Sequence, residues 1–165
     1  MQRAIGISVH TGWAACVVVG GSLKKPQIVA NEVIQILGDS ERFLFHMAAE
    51  MKRAEAGKWI ARARQKAVAN AKRALAPLVV QANVCAIVAK DGDAGDLDKV
   101  LASHPRIHTA EGCFYRDVLR DASAIPVHIV PPASLDVSKV GKLAPPPWGR
   151  DQKLAALAGW AVMRR

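Results

Sequence analysis

The order of elements along the chain predicts an α/β fold on a mixed five-stranded sheet, three antiparallel strands followed by two parallel ones, with helices on its flanks. Three observations lead there. Residues 3–37 hold three runs rich in β-branched side chains, separated by glycine-bearing turns. A long Ala-, Lys- and Arg-rich stretch free of proline follows, and two short apolar runs then alternate with helical segments. A length of 165 residues with 51% apolar side chains fits one domain spanning 1–165.

Taken in order, residues 3–9 and 13–19 are strands, and His10-Thr11-Gly12 is the tight connection of a hairpin. Gly20-Gly21-Ser22 reads as a second turn, after which 27–37 alternates as a third strand. Asp39, Ser40 and Glu41 have the acidic N-cap pattern of a long helix that runs to Ala76 and stops at Pro77. Gly57 marks a bend or break in it, since a mid-helix glycine costs about 1 kcal/mol relative to alanine. Met47, Met51, Ala54, Ile60, Ala63, Ala67, Ala71, Ala74, Leu75 and Leu78 recur at three- and four-residue steps, a narrow face of mostly small residues suited to lying close on a sheet. The continuous apolar run 84–89 is the pattern of a strand covered on both sides. A loop at 91–96 leads to a short helix 97–103 that Pro105 closes off, and Thr109 caps a helix 109–124. A second buried strand 126–130, a stiff triproline at 145–147 and a terminal helix 151–163 complete the order.

The charge balance points to an anionic partner, DNA or RNA. There are 23 Lys and Arg against 14 Asp and Glu, a formal net charge of +9. Between His46 and Ala76 lie eight cations and two anions, so +6 of that charge falls on one helix. Lys58, Arg62 and Lys66 step by four into a stripe, with Arg73 further along and Trp59 beside it as a stacking group, a serviceable phosphate-binding surface. The competing account is a solvated face whose Lys and Arg serve helix propensity. No stretch approaches the roughly 18 apolar residues of a membrane span, and the N-terminus runs into a strand rather than a signal peptide, so a cytoplasmic protein with no membrane partner is expected. Cys16, Cys85 and Cys113, odd in number and set among apolar neighbours, are expected to be reduced and mostly buried.

Three antiparallel strands, a long helix, a strand, a helix, a strand and a final helix resemble the ribonuclease H-like superfamily over nearly the whole chain. Ile5-Gly6-Ile7-Ser8-Val9-His10-Thr11-Gly12-Trp13-Ala14 is similar to the first hairpin of its crossover-junction (Holliday junction) resolvase branch, apolar-Gly-apolar-Asp-x-Gly followed by a Gly-Trp-Ala strand start. The stretch 149–158 is similar to the last helix of those enzymes, acidic at its opening and Ala-rich after. The resemblance implies clustered carboxylates holding two divalent cations about 3.5–4 Å apart, which activate water and stabilise the leaving oxygen of a phosphodiester. Magnesium is the cation that such oxygen ligands suit.

On this chain Ser8 stands where the first-strand aspartate should be, Lys90 followed by Asp91 and Asp93 stands near the second carboxylate, and Asp151 matches the third. With one match of three, the resemblance implies a nucleic-acid-binding domain with impaired catalysis, Ser8 and His10 marking a degenerate site, and magnesium as cofactor only if the chain is nuclease-active. The alternative is a Mg- or Mn-dependent, structure-selective nuclease with a displaced constellation drawn from Glu32, Asp91, Asp93, Glu111 and Asp151, with Asp151, Glu111 and Asp91 as its catalytic carboxylates. A protein-interaction scaffold is the third reading. Actin-like ATPases share the element order, but Ser8-Val9-His10 fails their Asp-x-Gly turn, and neither GxxxxGK nor GxGxxG is present.

Four further features need weighing. Ser8 and His10 share a strand face, yet no third group is evident to orient the imidazole as a base, so an exposed sheet-end pair is expected. His104 and His108 have helical metal spacing, but Pro105 lies between them and no HExxH follows, so no zinc site is expected. Glu111, two residues after Thr109, reads as first-turn support for a cap, and Arg116 as its partner or as a phosphate ligand. Trp13, Trp148 and Trp160 read as packing residues.

Overall fold

The computed structural model describes residues 2–163. Strands β1 (Ala4–Val9), β2 (Trp13–Ser22), β3 (Lys25–Gln35), β4 (Val84–Val88) and β5 (Val127–Val130) form one five-stranded sheet of order β3-β2-β1-β4-β5. The first three strands pair antiparallel, and β4 runs parallel to both β1 and β5, as the element order predicts. Among the described residues five α-helices accompany it: α1 (Leu44–Ala49), α2 (Arg53–Val79), α3 (Leu97–Leu101), α4 (His104–Ala122) and α5 (Arg150–Met163).

Strand alternation divides the core into two layers. Ile5, Ile7, Cys16, Val18, Cys85 and Ile87 face α1, α2 and α4, while Ala4, Val17, Val19, Ala86 and Val88 face α5. Each fully buried Ile or Leu contributes about 1.5–3 kcal/mol. The buried stripe of α2, Ala63, Ala67, Ala71, Leu75 and Leu78, follows the predicted face. On the other side α5 lies so close that a Cβ on Gly6 would overlap the carbonyl of Ala155, and one on Gly159 would stand 2.7 Å from Val19 Cγ2. That close approach holds the first turn of α5 beside the end of β1.

Several local expectations are corrected. β2 continues through Gly20-Gly21-Ser22, because pairing with Gln27, Pro26 and Lys25 outweighs the local turn preference, and the chain reverses only at Leu23 and Lys24. β3 accordingly runs two residues earlier at each end than predicted. The long helix is two helices, broken at Met51 and Lys52 rather than at Gly57, because α1 must turn Leu44, Phe45 and Ala48 into the core. Asp39 does not cap it; its carboxylate pairs with Arg42 at 3.3 Å. Pro77 lies inside the last turn of α2, where it forfeits the bond an N–H would make to the Arg73 carbonyl, and the helix ends two residues later. Pro105 opens α4 instead of closing the preceding helix, since its missing N–H falls among the donors that a helix start leaves unpaired. Thr109 is therefore one turn inside α4, its hydroxyl donating back to the Pro105 carbonyl at 3.2 Å.

Candidate functional site

Ser8 and His10 project toward α5, whose first turn carries Asp151. Ser8 Oγ donates to Asp151 Oδ1 at 3.2 Å, and His10 Nε2 donates to the same oxygen at 2.7 Å. Ser8 is buried; the His10 and Asp151 side chains are 37% and 30% exposed. The imidazole is stacked on Trp13 with centroids 4.1 Å apart. Gly12 makes this hairpin possible: it sits at φ +88°, and a Cβ there would stand 2.7 Å from Arg42 Cβ and 2.9 Å from the Leu37 carbonyl. The expectation that nothing orients His10 is corrected, because Asp151 does. The order is nonetheless wrong for nucleophilic catalysis. Hydroxyl and imidazole both donate to the carboxylate, and no hydrogen bond joins Ser8 to His10 among the described residues, so the histidine is not placed to take the serine proton.

Ser8 is in parallel register with Val88, which brings the residues after β4 to the same end of the sheet. There a cavity of 410 Å³ is lined by Val9, Lys90, Asp91, Asp93, His108 and Cys113 among others. Lys90, Asp91 and Asp93 are exposed, and Glu32 is exposed on the edge strand β3. The donor set does not fit a pair of oxygen-ligated divalent cations. Asp151 meets Ser8, a neutral hydroxyl, and its Oδ1 is covered by two protein donors. Among the described residues the one group of three or more His, Cys, Asp and Glu side chains with converging ligand atoms is His46, His104 and His108, which contains no carboxylate.

Glu111 belongs to that second place. It lies in the interior of α4, 2% exposed, and accepts from His46 Nδ1 at 2.8 Å, so it neither caps a helix nor joins Asp151. His104 and His108, one turn apart on α4, bring their Nε2 atoms to 3.0 Å, and the His46 ring lies 5.2 and 4.8 Å from theirs. A turn further on, Tyr115 donates to the Arg42 carbonyl at 2.6 Å; burial, with the Glu111 charge nearby, raises its phenol above the usual range. Arg116 corrects a further expectation. It is 4% exposed, and its guanidinium donates to the Lys90 carbonyl at 2.8 Å and to Asp117 at 2.9 Å, so it neither pairs with Glu111 nor belongs to the exposed basic surface. The Asp117 hydrogen bond raises its already high pKa.

The basic face of α2 is partly neutralised. Lys66 pairs with Glu41 at 2.6 Å, Arg64 with Asp121 and Arg53 with Asp98. Lys58, Arg62, Lys72 and Arg73 are exposed, with no ion-pair partner among the described residues. Trp59 does not offer a free stacking face: it packs against the core, and its indole N–H donates to the Leu44 carbonyl at 3.2 Å, clamping α1 to α2. Trp160 is buried, whereas Trp13 and Trp148 are half-buried. Burial pushes the Cys85 thiol up to about 12 against a lowering hydrogen bond from Ser123, and pushes Cys16 up further. Cys113 is half-buried on the cavity wall, and all three cysteines are free thiols.

Sheet order, strand directions and the α5 cover define a ribonuclease H-like fold. No protein-family model and no curated protein matches the chain. Among solved structures it is similar to RuvC of Thermus thermophilus in complex with Holliday junction substrate, with a TM-score of 0.57 and 13% identity over 99% of this chain and 94% of that one. It is also similar to a second Thermus thermophilus RuvC structure, with a TM-score of 0.51 and 13% identity over 98% and 94%. At that identity the likeness is one of fold, and it agrees with the architecture expected from the element order. No helix among the described residues is long and apolar enough to cross a membrane.

Proposed function

We propose that this chain is a nucleic-acid-binding domain of ribonuclease H-like fold, residues 1–165 acting as one unit in the cytoplasm, in which two-metal nuclease chemistry is impaired. The observation that carries the reading is the end of β1, where Ser8 and His10 both donate to one oxygen of Asp151. Their protons occupy Oδ1, one of the two Asp151 oxygens that could bind a cation, and the ammonium of Lys90, just past β4, adds positive charge at the same end of the sheet. Ser8 then stands for the first-strand aspartate. Binding rests on the unpaired cations of α2, Lys58, Arg62, Lys72 and Arg73, whose neutralisation of phosphates would release counterions. The neighbour solved with a Holliday junction substrate favours DNA, and branched DNA, as the first ligand to try.

The test is affinity for a four-way junction, a duplex and a single strand across salt. Four phosphate contacts give a log–log slope of about −3.6 on duplex, a loss of roughly 150-fold between about 50 and 200 mM salt. Replacing Lys58 and Arg62 by alanine should flatten that slope by about 2. An affinity indifferent to salt would overturn the reading of α2. With Mg²⁺ or Mn²⁺, neither the native chain nor Asp151→Asn should cut any of the three; cleavage by the native chain that Asp151→Asn abolishes would restore the nuclease.

A further inference from the structure

We propose that His46, His104 and His108 bind one borderline-soft divalent transition-metal ion, zinc foremost, between α1 and α4. The site goes beyond the proposed nucleic-acid binding and does not depend on it. One ring nitrogen from each of the three histidines lies within 4.8 Å of the others. Tetrahedral zinc with bonds of about 2.0–2.1 Å separates its ligand atoms by about 3.4 Å. The Nε2 atoms of His104 and His108 are already 3.0 Å apart, so they need only a slight opening. The remaining closure falls to side-chain torsions, and both of these histidines are exposed and free to turn.

Glu111 is the second and independent observation. A carboxylate only 2% exposed needs a strong partner, and it has one in His46 Nδ1 at 2.8 Å. That bond fixes the tautomer: the proton stays on Nδ1, and the lone pair on Nε2 is left for a ligand. A buried carboxylate behind an imidazole is how proteins orient metal-binding histidines and raise their basicity. Without a metal, the close approach of His104 and His108 is satisfied by one shared proton, which leaves most of the lone pairs of the cluster unused. An ion accepts all three.

The donors also select the metal. Imidazole nitrogen suits zinc, nickel, copper and iron, whereas magnesium and calcium want oxygen. Three histidines leave a fourth position for water or an exchangeable ligand. His108 also lines the cavity at the end of β1 and β4, which puts the ion at its rim.

The experiment uses tag-free full-length protein, titrated with zinc by calorimetry and with Co²⁺ by visible absorption. One equivalent should bind at micromolar affinity or tighter, with the intense d–d band of tetrahedral cobalt, and magnesium in large excess should not compete. His104→Ala and His108→Ala are exposed changes that should leave the fold intact by circular dichroism and weaken zinc at least about 100-fold. Glu111→Gln should weaken it about 10- to 100-fold, while His10→Ala and His128→Ala, the latter on β5, leave it unchanged. No stoichiometric zinc binding at about 100 μM, or a His104→Ala/His108→Ala double variant that binds like the native chain, would overturn the site. Junction affinity of the same folded variants is measured in parallel, so a failure of DNA binding is not mistaken for a failure of the metal site.

Discussion

Two carboxylate–histidine pairs lie on opposite faces of the sheet, and their lengths are nearly the same: 2.7 Å for His10 with Asp151 and 2.8 Å for His46 with Glu111. Their surroundings differ. The Asp151 side chain is 30% exposed, while that of Glu111 is 3% exposed. In the open pair, solvent already satisfies much of the Asp151 charge, so the contact is worth at most about 1 kcal/mol. In the closed pair, Glu111 left alone would be a buried carboxylate without its mate, while His46 keeps an edge in solvent. Direction differs too. Asp151 Oδ1 receives donors from two residues, whereas Glu111 Oε1 receives the backbone N–H and the ring Nδ1 of the single residue His46, whose imidazole faces two more. The same residue types thus cover a carboxylate on one face and orient a ligand on the other.

The most severe way to break this comparison is Gly6→Val. A side chain at Gly6 collides with the backbone of α5, so the helix carrying Asp151 must move, at a cost of about 3 kcal/mol or more in urea unfolding. Glu111→Ala comes next, at about 1.5–3 kcal/mol, because it removes a charge-assisted hydrogen bond to His46 and leaves a hole where a buried side chain was.

Alkaline pH acts on the sheet that both pairs share. Cys85 ionises at about 12 in the folded protein against 9.0 for a free thiol, so unfolding releases its proton first. Stability from this group is whole below about pH 9 and falls by about 1.4 kcal/mol per unit above it until the folded thiol ionises; Cys85→Ala should flatten Tm against pH from about 9 to 11. Asp151→Asn should cost less than about 1 kcal/mol, and a loss equal to that of Glu111→Ala would erase the contrast between the two faces. The Lys58→Ala/Arg62→Ala double variant should leave stability within about 0.5 kcal/mol, its effect appearing only in nucleic-acid affinity.

Strand identity was legible because alternation and β-branched runs are local, and a parallel pair with helical connections allows few sheet orders. The helix limits were misread where packing outvotes propensity: Gly57 stays helical while the chain breaks at Met51 and Lys52, because Trp59 and Leu44 lock α1 across α2. Pro105 has the larger consequence. Read as a stop, it separates His104 from His108 and puts Glu111 in a first turn, whereas in the structure all three share one face of α4 at i, i+4 and i+7. Nothing in the local wording marks His46, since its partner Glu111 is 65 residues away.

The amino-acid sequence by itself determined the strand pattern, the mixed sheet and the concentration of positive charge on one helix, because periodicity and composition act over a few residues. Only the tertiary structure decided which side chains meet. Asp151 reaches Ser8 across 143 residues, through the parallel register of β1 with β4 and the close seating of α5 on Gly6. The meeting of His46 with His104 and His108 likewise follows from how α1 packs on α4. Such contacts depend on the closure of the whole core, which no window of neighbouring residues contains.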